Sequence, residues 1–183
     1  MIPIWFRAAF AALIICWSPV AADAQDKADE SKAEIIDYGI YVGRVVSTQT
    51  TQSDLGPVPL DTMDSIRYIK RTDQVEARYC NLFGVTFKIN EALTADPTIE
   101  FFIVTLHPKF TGSDGRTSTR EIFQAFPDDN GTTFGGFGFD FDYELEPGEW
   151  TFVLMANEEE LARKAFTVTK KDGGKKSDCN VTS

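Results

Sequence analysis

The chain has 183 residues, 43% of them hydrophobic and 25% charged, with a formal net charge of −10. That is one domain's worth of sequence with enough apolar content to bury a core, and a surface so negative is repelled by phosphate backbones and anionic lipid. Nucleic acid is therefore not an expected partner, and one histidine with three scattered cysteines forms no His/Cys cluster for zinc or copper.

Residues 1–24 read as an export signal. Arg7 supplies the positive start, and residues 8–17 form an apolar run shorter than the roughly 20 residues that span a bilayer. Ala22-Asp23-Ala24 fits the small-x-small cleavage pattern, so the mature chain begins at Gln25. An uncleaved anchor is disfavoured by the short run and by Ser18-Pro19, and lipidation of Cys16 by the bulky Ile15 before it. The expectation is a periplasmic or secreted protein with no transmembrane segment after cleavage. Its charge stays at −10, because Arg7 and Asp23 leave together.

Cleavage also removes Cys16 and leaves Cys80 and Cys179. An even pair in an oxidising compartment reads as one disulfide, and closing so long a loop stabilises by about 4–5 kcal/mol in the chain-entropy model. Neither a Cys-x-x-Cys nor a nearby resolving thiol supports redox chemistry. The organisation expected is a signal over 1–24, a flexible lead-in over 25–36, a domain over 37–169, and a tail over 170–183. The tail carries Lys170, Lys171, Lys175 and Lys176 and is pinned by the disulfide.

The domain opens with Tyr38, Ile40, Val42 and Val46 on one face of a strand, and Gly43 marks a bulge or a close neighbour. Residues 47–60, rich in Thr, Gln, Ser, Gly and Pro, read as a long loop or a loose edge. Ile66 to Ile69 and Val75 to Arg78 read as short strands around a polar turn. Val85, Phe87 and Ile89 alternate with polar residues, the pattern of a half-buried strand. Phe101-Phe102-Ile103-Val104 is an unbroken apolar run, as in a strand buried on both faces. A turn follows at Gly112 to Gly115, then a short strand at 121–126 and a strong turn at Pro127-Asp128-Asp129-Asn130-Gly131.

The most regular stretch comes last. Phe137, Phe139, Phe141, Tyr143 and Leu145 alternate with Gly138, Asp140, Asp142 and Glu144, which predicts one strand with an apolar and an acidic face. A Pro147-Gly148 corner leads to a second strand with Trp150, Phe152 and Leu154, and Phe166 and Val168 end a third. No internal repeat and no long amphipathic helix interrupts the pattern. Seven to nine short strands with regular turns predict an all-β antiparallel sandwich in a single domain.

Candidate chemistry is sparse. His107 could act as a general base, but it reads as a strand-end residue without a nucleophile motif beside it. Gly135, Gly136 and Gly138 sit among phenylalanines in a strand, so they signal a bulge or close packing rather than phosphate binding. Asp128-Asp129-Asn130-Gly131 lacks the alternating spacing and terminal Glu of an EF-hand, although looser calcium loops exist. Asp140, Asp142 and Glu144 could hold a cation or a basic partner, and read first as a solvated face that discourages edge pairing. No catalytic, cofactor-binding or metal-binding residue is assigned.

Residues 145–152, Leu-Glu-Pro-Gly-Glu-Trp-Thr-Phe, resemble the corner and penultimate strand of immunoglobulin-like domains, with Trp150 where a Tyr often sits. Gly39-Ile40-Tyr41, the Pro-Gly-x-Trp-x-Phe segment and Lys164-x-Phe166-x-Val168 together resemble a family of exported bacterial domains of unknown function. The resemblance spans roughly 38–168 and implies an immunoglobulin-like sandwich but no activity. The cross-sheet disulfide of antibody domains is missing, since Cys179 lies beyond the last strand. The functional expectation is a binding module, first for a protein of the cell envelope through loops or an exposed edge strand at 38–46. A small-ligand or carbohydrate-binding domain, marked by a surface aromatic pair, is the alternative. A hydrolase ranks below both.

Overall fold

The computed structural model describes residues 31–112 and 114–170. The expected export signal and cleavage site, and Cys179 of the tail, lie outside them. The described residues form nine strands: β1 (Ala33–Ser53), β2 (Gly56–Arg71), β3 (Gln74–Ala77), β4 (Leu82–Ile89), β5 (Phe101–Thr111), β6 (Thr117–Ala125), β7 (Thr132–Gly138), β8 (Gly148–Ala156) and β9 (Glu159–Lys170). One helical turn, α1 (Glu91–Thr94), joins β4 to β5 and is capped by Asn90, whose side chain accepts from the Ala92 N–H. Among the described residues no helix is long and apolar enough to cross a membrane.

The strands pair into two sheets. Sheet A has the order β2-β1-β4-β7 and sheet B the order β3-β9-β8-β5-β6. Every pair is antiparallel except β3 with β9. The period-two residues of β4 (Phe83, Val85, Phe87, Ile89), β8 (Trp150, Phe152, Leu154) and β9 (Phe166, Val168) face each other across the sandwich and are buried. Phe83 is the hub, with its ring centroid 5.3–5.5 Å from those of Phe139, Trp150, Phe152 and Phe166. Fully burying each such side chain is worth about 1.5–3 kcal/mol, so this aromatic layer dominates the core. Trp150 is enclosed, and its indole N–H donates to the Glu146 carbonyl at 3.3 Å. At the same corner Gly148 has φ 144°, and a Cβ there would stand 2.8 Å from Pro108.

Several expectations are corrected. β1 begins at Ala33, inside the predicted lead-in. Residues 47–60 are not a long loop, and the edge alternative is the nearer one: β1 pairs with β2, the edge strand of sheet A, from Gly39↔Arg71 out to Ser53↔Gly56, through three register shifts. One shift falls at Gly43, as expected of a bulge. Their side chains look like loop because the outer part of this ribbon pairs only with itself and meets the core only through Leu55 at its tip. The segment 38–46 is no edge, since β1 lies between β2 and β4. β2 and β3 fall in different sheets rather than forming a hairpin, and so do β7 and β8.

The regular stretch at 137–145 is likewise broken. β7 ends at Gly138, and Asp142–Glu144 is a 3-10 turn. The alternation persists as a sequence pattern, but the chain there crosses from one sheet to the other.

Candidate interaction surfaces

The predicted candidate residues do not converge. His107 is not at a strand end but within β5, 6% exposed, with its ring stacked on Phe110 at 3.8 Å and 5.3 Å from Trp150. Its Nδ1 lies 2.7 Å from the Pro108 carbonyl. A carbonyl only accepts, so Nδ1 carries the proton. Nε2 is buried with no hydrogen-bond partner among the described residues, and burial pushes the imidazole below its ordinary pKa of 6.5. An enclosed neutral ring between aromatic walls fills core space and has no route to a substrate.

The acidic residues separate as well. Glu144 is buried, against the expected solvated face, and its carboxylate accepts from the backbone N–H groups of Asp140 at 2.6 Å and Phe141 at 2.9 Å. Asp142 accepts from the Tyr79 hydroxyl, which raises the pKa of that tyrosine. Asp128 accepts from the N–H groups of Asn130 at 2.9 Å and Thr132 at 2.8 Å, so it shapes its own turn. Among the described residues no group of three metal-ligating side chains converges. Cys80 lies just before β4, exposed and at φ 64°. Its expected partner Cys179 lies outside the described residues.

What the fold does present is apolar surface. The run Phe101-Phe102-Ile103-Val104 reads as buried on both faces, but only Phe101 and Ile103 point inward and are buried. Phe102, Val104 and Leu106 point out of sheet B, beside Ile122 of β6 and Val153 and Met155 of β8, and line a shallow open groove. Ile122 is 49% and Leu106 38% exposed. The charged groups on the groove's rim are Arg120, Arg163 and Glu160, the last two paired at 2.6 Å. The residue types in β5 carry this signal, but an unbroken apolar run cannot say whether a second layer covers its outer face.

A second aromatic group lies on the outer face of sheet A. Tyr41 sits between Phe134, at 4.7 Å, and Tyr68, at 5.8 Å, and its hydroxyl shares a hydrogen bond with Thr86 at 3.0 Å. Tyr41 is buried and the rings meet at steep angles, so they form no flat platform of the kind a sugar ring stacks on. At the far end of the sandwich Phe126 is 75% exposed beside the acidic α1 and β6–β7 connections.

Comparison with known proteins gives fold but no chemistry. A solved immunoglobulin-like protein from Pseudomonas aeruginosa superposes with a TM-score of 0.54 at 18% identity, over 77% of this chain and 99% of that one. An alkylpurine DNA glycosylase of Pseudomonas fluorescens, bound to DNA containing an abasic site analog, matches at a TM-score of 0.31 and 11% identity, over 52% of this chain and 27% of that one. No curated protein matches. The model of the family described as a domain of unknown function (DUF3859) matches residues 29–168. The two sheets, the immunoglobulin-like likeness and this match agree: the chain belongs to the DUF3859 family, with an all-β immunoglobulin-like fold.

Proposed function

We propose that this protein is an exported interaction module of the cell envelope, which binds a folded protein partner through the outer face of sheet B. The observation that carries the reading is the apolar groove of Phe102, Val104, Leu106, Ile122, Val153 and Met155 on an otherwise strongly acidic molecule. Contiguous apolar surface rimmed by polar groups marks interaction sites on soluble proteins. An aromatic and aliphatic centre with arginine at its border is the composition of interface cores. The rim bears two arginines against one glutamate, so the complementary partner offers an apolar patch with carboxylates opposite Arg120. Export rests on the features of residues 1–24, and the Cys80–Cys179 bridge on the even cysteine count in an oxidising compartment.

The test is site-specific photo-crosslinking from positions 106 and 122 of the full-length protein in the cells that make it. One stoichiometric protein partner, lost in the Leu106→Asp/Ile122→Asp double variant, is the expected result. No adduct, or adducts that the double variant retains, would overturn the assignment of this face.

A further inference from the structure

The two sheets differ by one strand, and the place of the missing strand can be located. Gly135 of β7 lies directly over β5: a Cβ on it would stand 2.8 Å from Cγ2 of Ile103. Ile103 is in register with Phe123 of β6. β6 therefore projects one strand beyond β7; of the rest of sheet A only the tip of the β1–β2 ribbon reaches it, where Asp54 acts on the buried Glu121. Phe123 registers the gap. It points to the inner side of β6, yet it is only half-buried and lies outside the core cluster.

β7 is also the one edge of the described sheets without protection. Edge strands are usually guarded by charge, proline, bulges or shortness. β2 carries Asp61, Asp64, Arg67 and Lys70 with register shifts, and β3 has four residues. β6 carries Arg120, the inward-pointing Glu121 and a register shift. β7 reads Thr-Thr-Phe-Gly-Gly-Phe-Gly, uncharged, and pairs with β4 without any shift.

Its free hydrogen-bonding groups can be assigned by alternation. Gly131 accepts from the Ile89 N–H. The antiparallel ladder then turns Thr133, Gly135 and Phe137 toward β4 and Phe134, Gly136 and Gly138 outward. Among the described residues no hydrogen bond reaches the outward N–H and C=O groups of those three.

We infer that the β7 edge accepts an extended strand from another protein, completing sheet A over β6. Strand addition at an open edge supplies affinity through main-chain bonds and selectivity through alternate side chains. A strand about 4.8 Å beyond β7 stands over β6 at the roughly 10 Å spacing of stacked sheets. Its inward side chains cover Phe123 and flank Phe137. Outward, a Cβ at Gly138 would meet nothing within 4 Å, which leaves room for a bulky neighbour. The occupant is thus a segment of five to seven residues (roughly the length of β7), uncharged, with apolar residues at alternate positions. A second copy pairing edge to edge does not fit, because its own sheet B would run into the projecting β6. This site is independent of the groove on sheet B.

Two measurements on the full chain test it. In the free protein, the amides of Phe134, Gly136 and Gly138 exchange at least about tenfold faster than those of Thr133, Gly135 and Phe137. Protection of all six would mean that the edge is already covered, which overturns the inference. A displayed random heptapeptide library, selected on the immobilised protein, yields uncharged peptides with alternating apolar residues. Gly138→Pro, which removes one outward N–H at a position with space for the ring, weakens them by about tenfold or more, and Phe123→Asp weakens them too. N-methylation of the selected peptides at alternate residues abolishes binding to the unmodified protein, a result that does not depend on either variant folding. Leu106→Asp leaves binding unchanged, which separates this site from the sheet B face. No enrichment, or peptides indifferent to Gly138→Pro and to N-methylation, would overturn the inference.

Discussion

His107 shows how one residue's surroundings set its behaviour. Phe110 and Trp150 enclose the ring, and its Nδ1–H donates to the Pro108 carbonyl; burial favours the neutral form and lowers the pKa from 6.5, with the Pro108 bond opposing it. A depressed folded value means that the unfolded chain binds the proton first. Its contribution to stability is present above pH 6.5 and is lost as pH falls from there through the folded value. Buried Glu121 acts in the opposite sense: desolvation first, then Asp54, raises its pKa, so folding favours its protonated form at low pH. The His107 share is therefore isolated by comparing wild type with His107→Phe in urea titrations at pH 7.5 and 5.5. The wild type loses more stability on acidification than the variant does, and equal losses would contradict the assignment. At high pH, Tyr143 is pushed up to about 12 by burial, with Glu144, Glu121 and Asp140 adding to it. Its contribution is lost as pH rises from 10 toward that value. Gly148 is the residue where backbone rather than charge decides. With φ 144° and Pro108 in the place of a Cβ, Gly148→Ala costs about 1–3 kcal/mol, measurable as a lower urea midpoint with an unchanged slope.

Strands differ in how plainly they announce themselves. β4, β8 and β9 were legible from the alternation of Phe83, Val85, Phe87, Trp150, Phe152, Phe166 and Val168, because each has one face on the core and the pattern is a local property. The β1–β2 ribbon was not. Its outer part is held by a backbone ladder whose hydrogen bonds ignore side-chain type, so Thr, Gln and Ser serve as well as Val. Its tip is fixed at one point: Leu55 is buried in the core cluster, and the Arg116 guanidinium packs over Gly56. Leu55→Asp should release the tip, with faster amide exchange over residues 47–60 and a stability loss of about 2 kcal/mol. Unchanged exchange there would mean that the ladder alone holds the ribbon. The stretch at 137–145 failed for the opposite reason. Its period was perfect, but Glu144 turned inward to accept the Asp140 and Phe141 N–H groups, and the chain curled into a 3-10 turn.

For the whole molecule, export and the disulfide are proposals with one shared measurement. The intact mass without reductant should begin at Gln25 and be two hydrogens light, and a count of two free thiols would refute the bridge. Reduction should then lower stability by up to about 4–5 kcal/mol. The sequence by itself determined the all-β class, the core residues of three strands and the corner at Pro147-Gly148, because alternation and turn chemistry act over a few neighbouring residues. Only the tertiary structure decided which strands share a sheet, which face of β5 stays open, and that β7 rather than β1 is an edge. Those facts depend on pairings such as Gly135 above Ile103 and Val85 beside Gly135, which join residues far apart in the chain and leave no local trace.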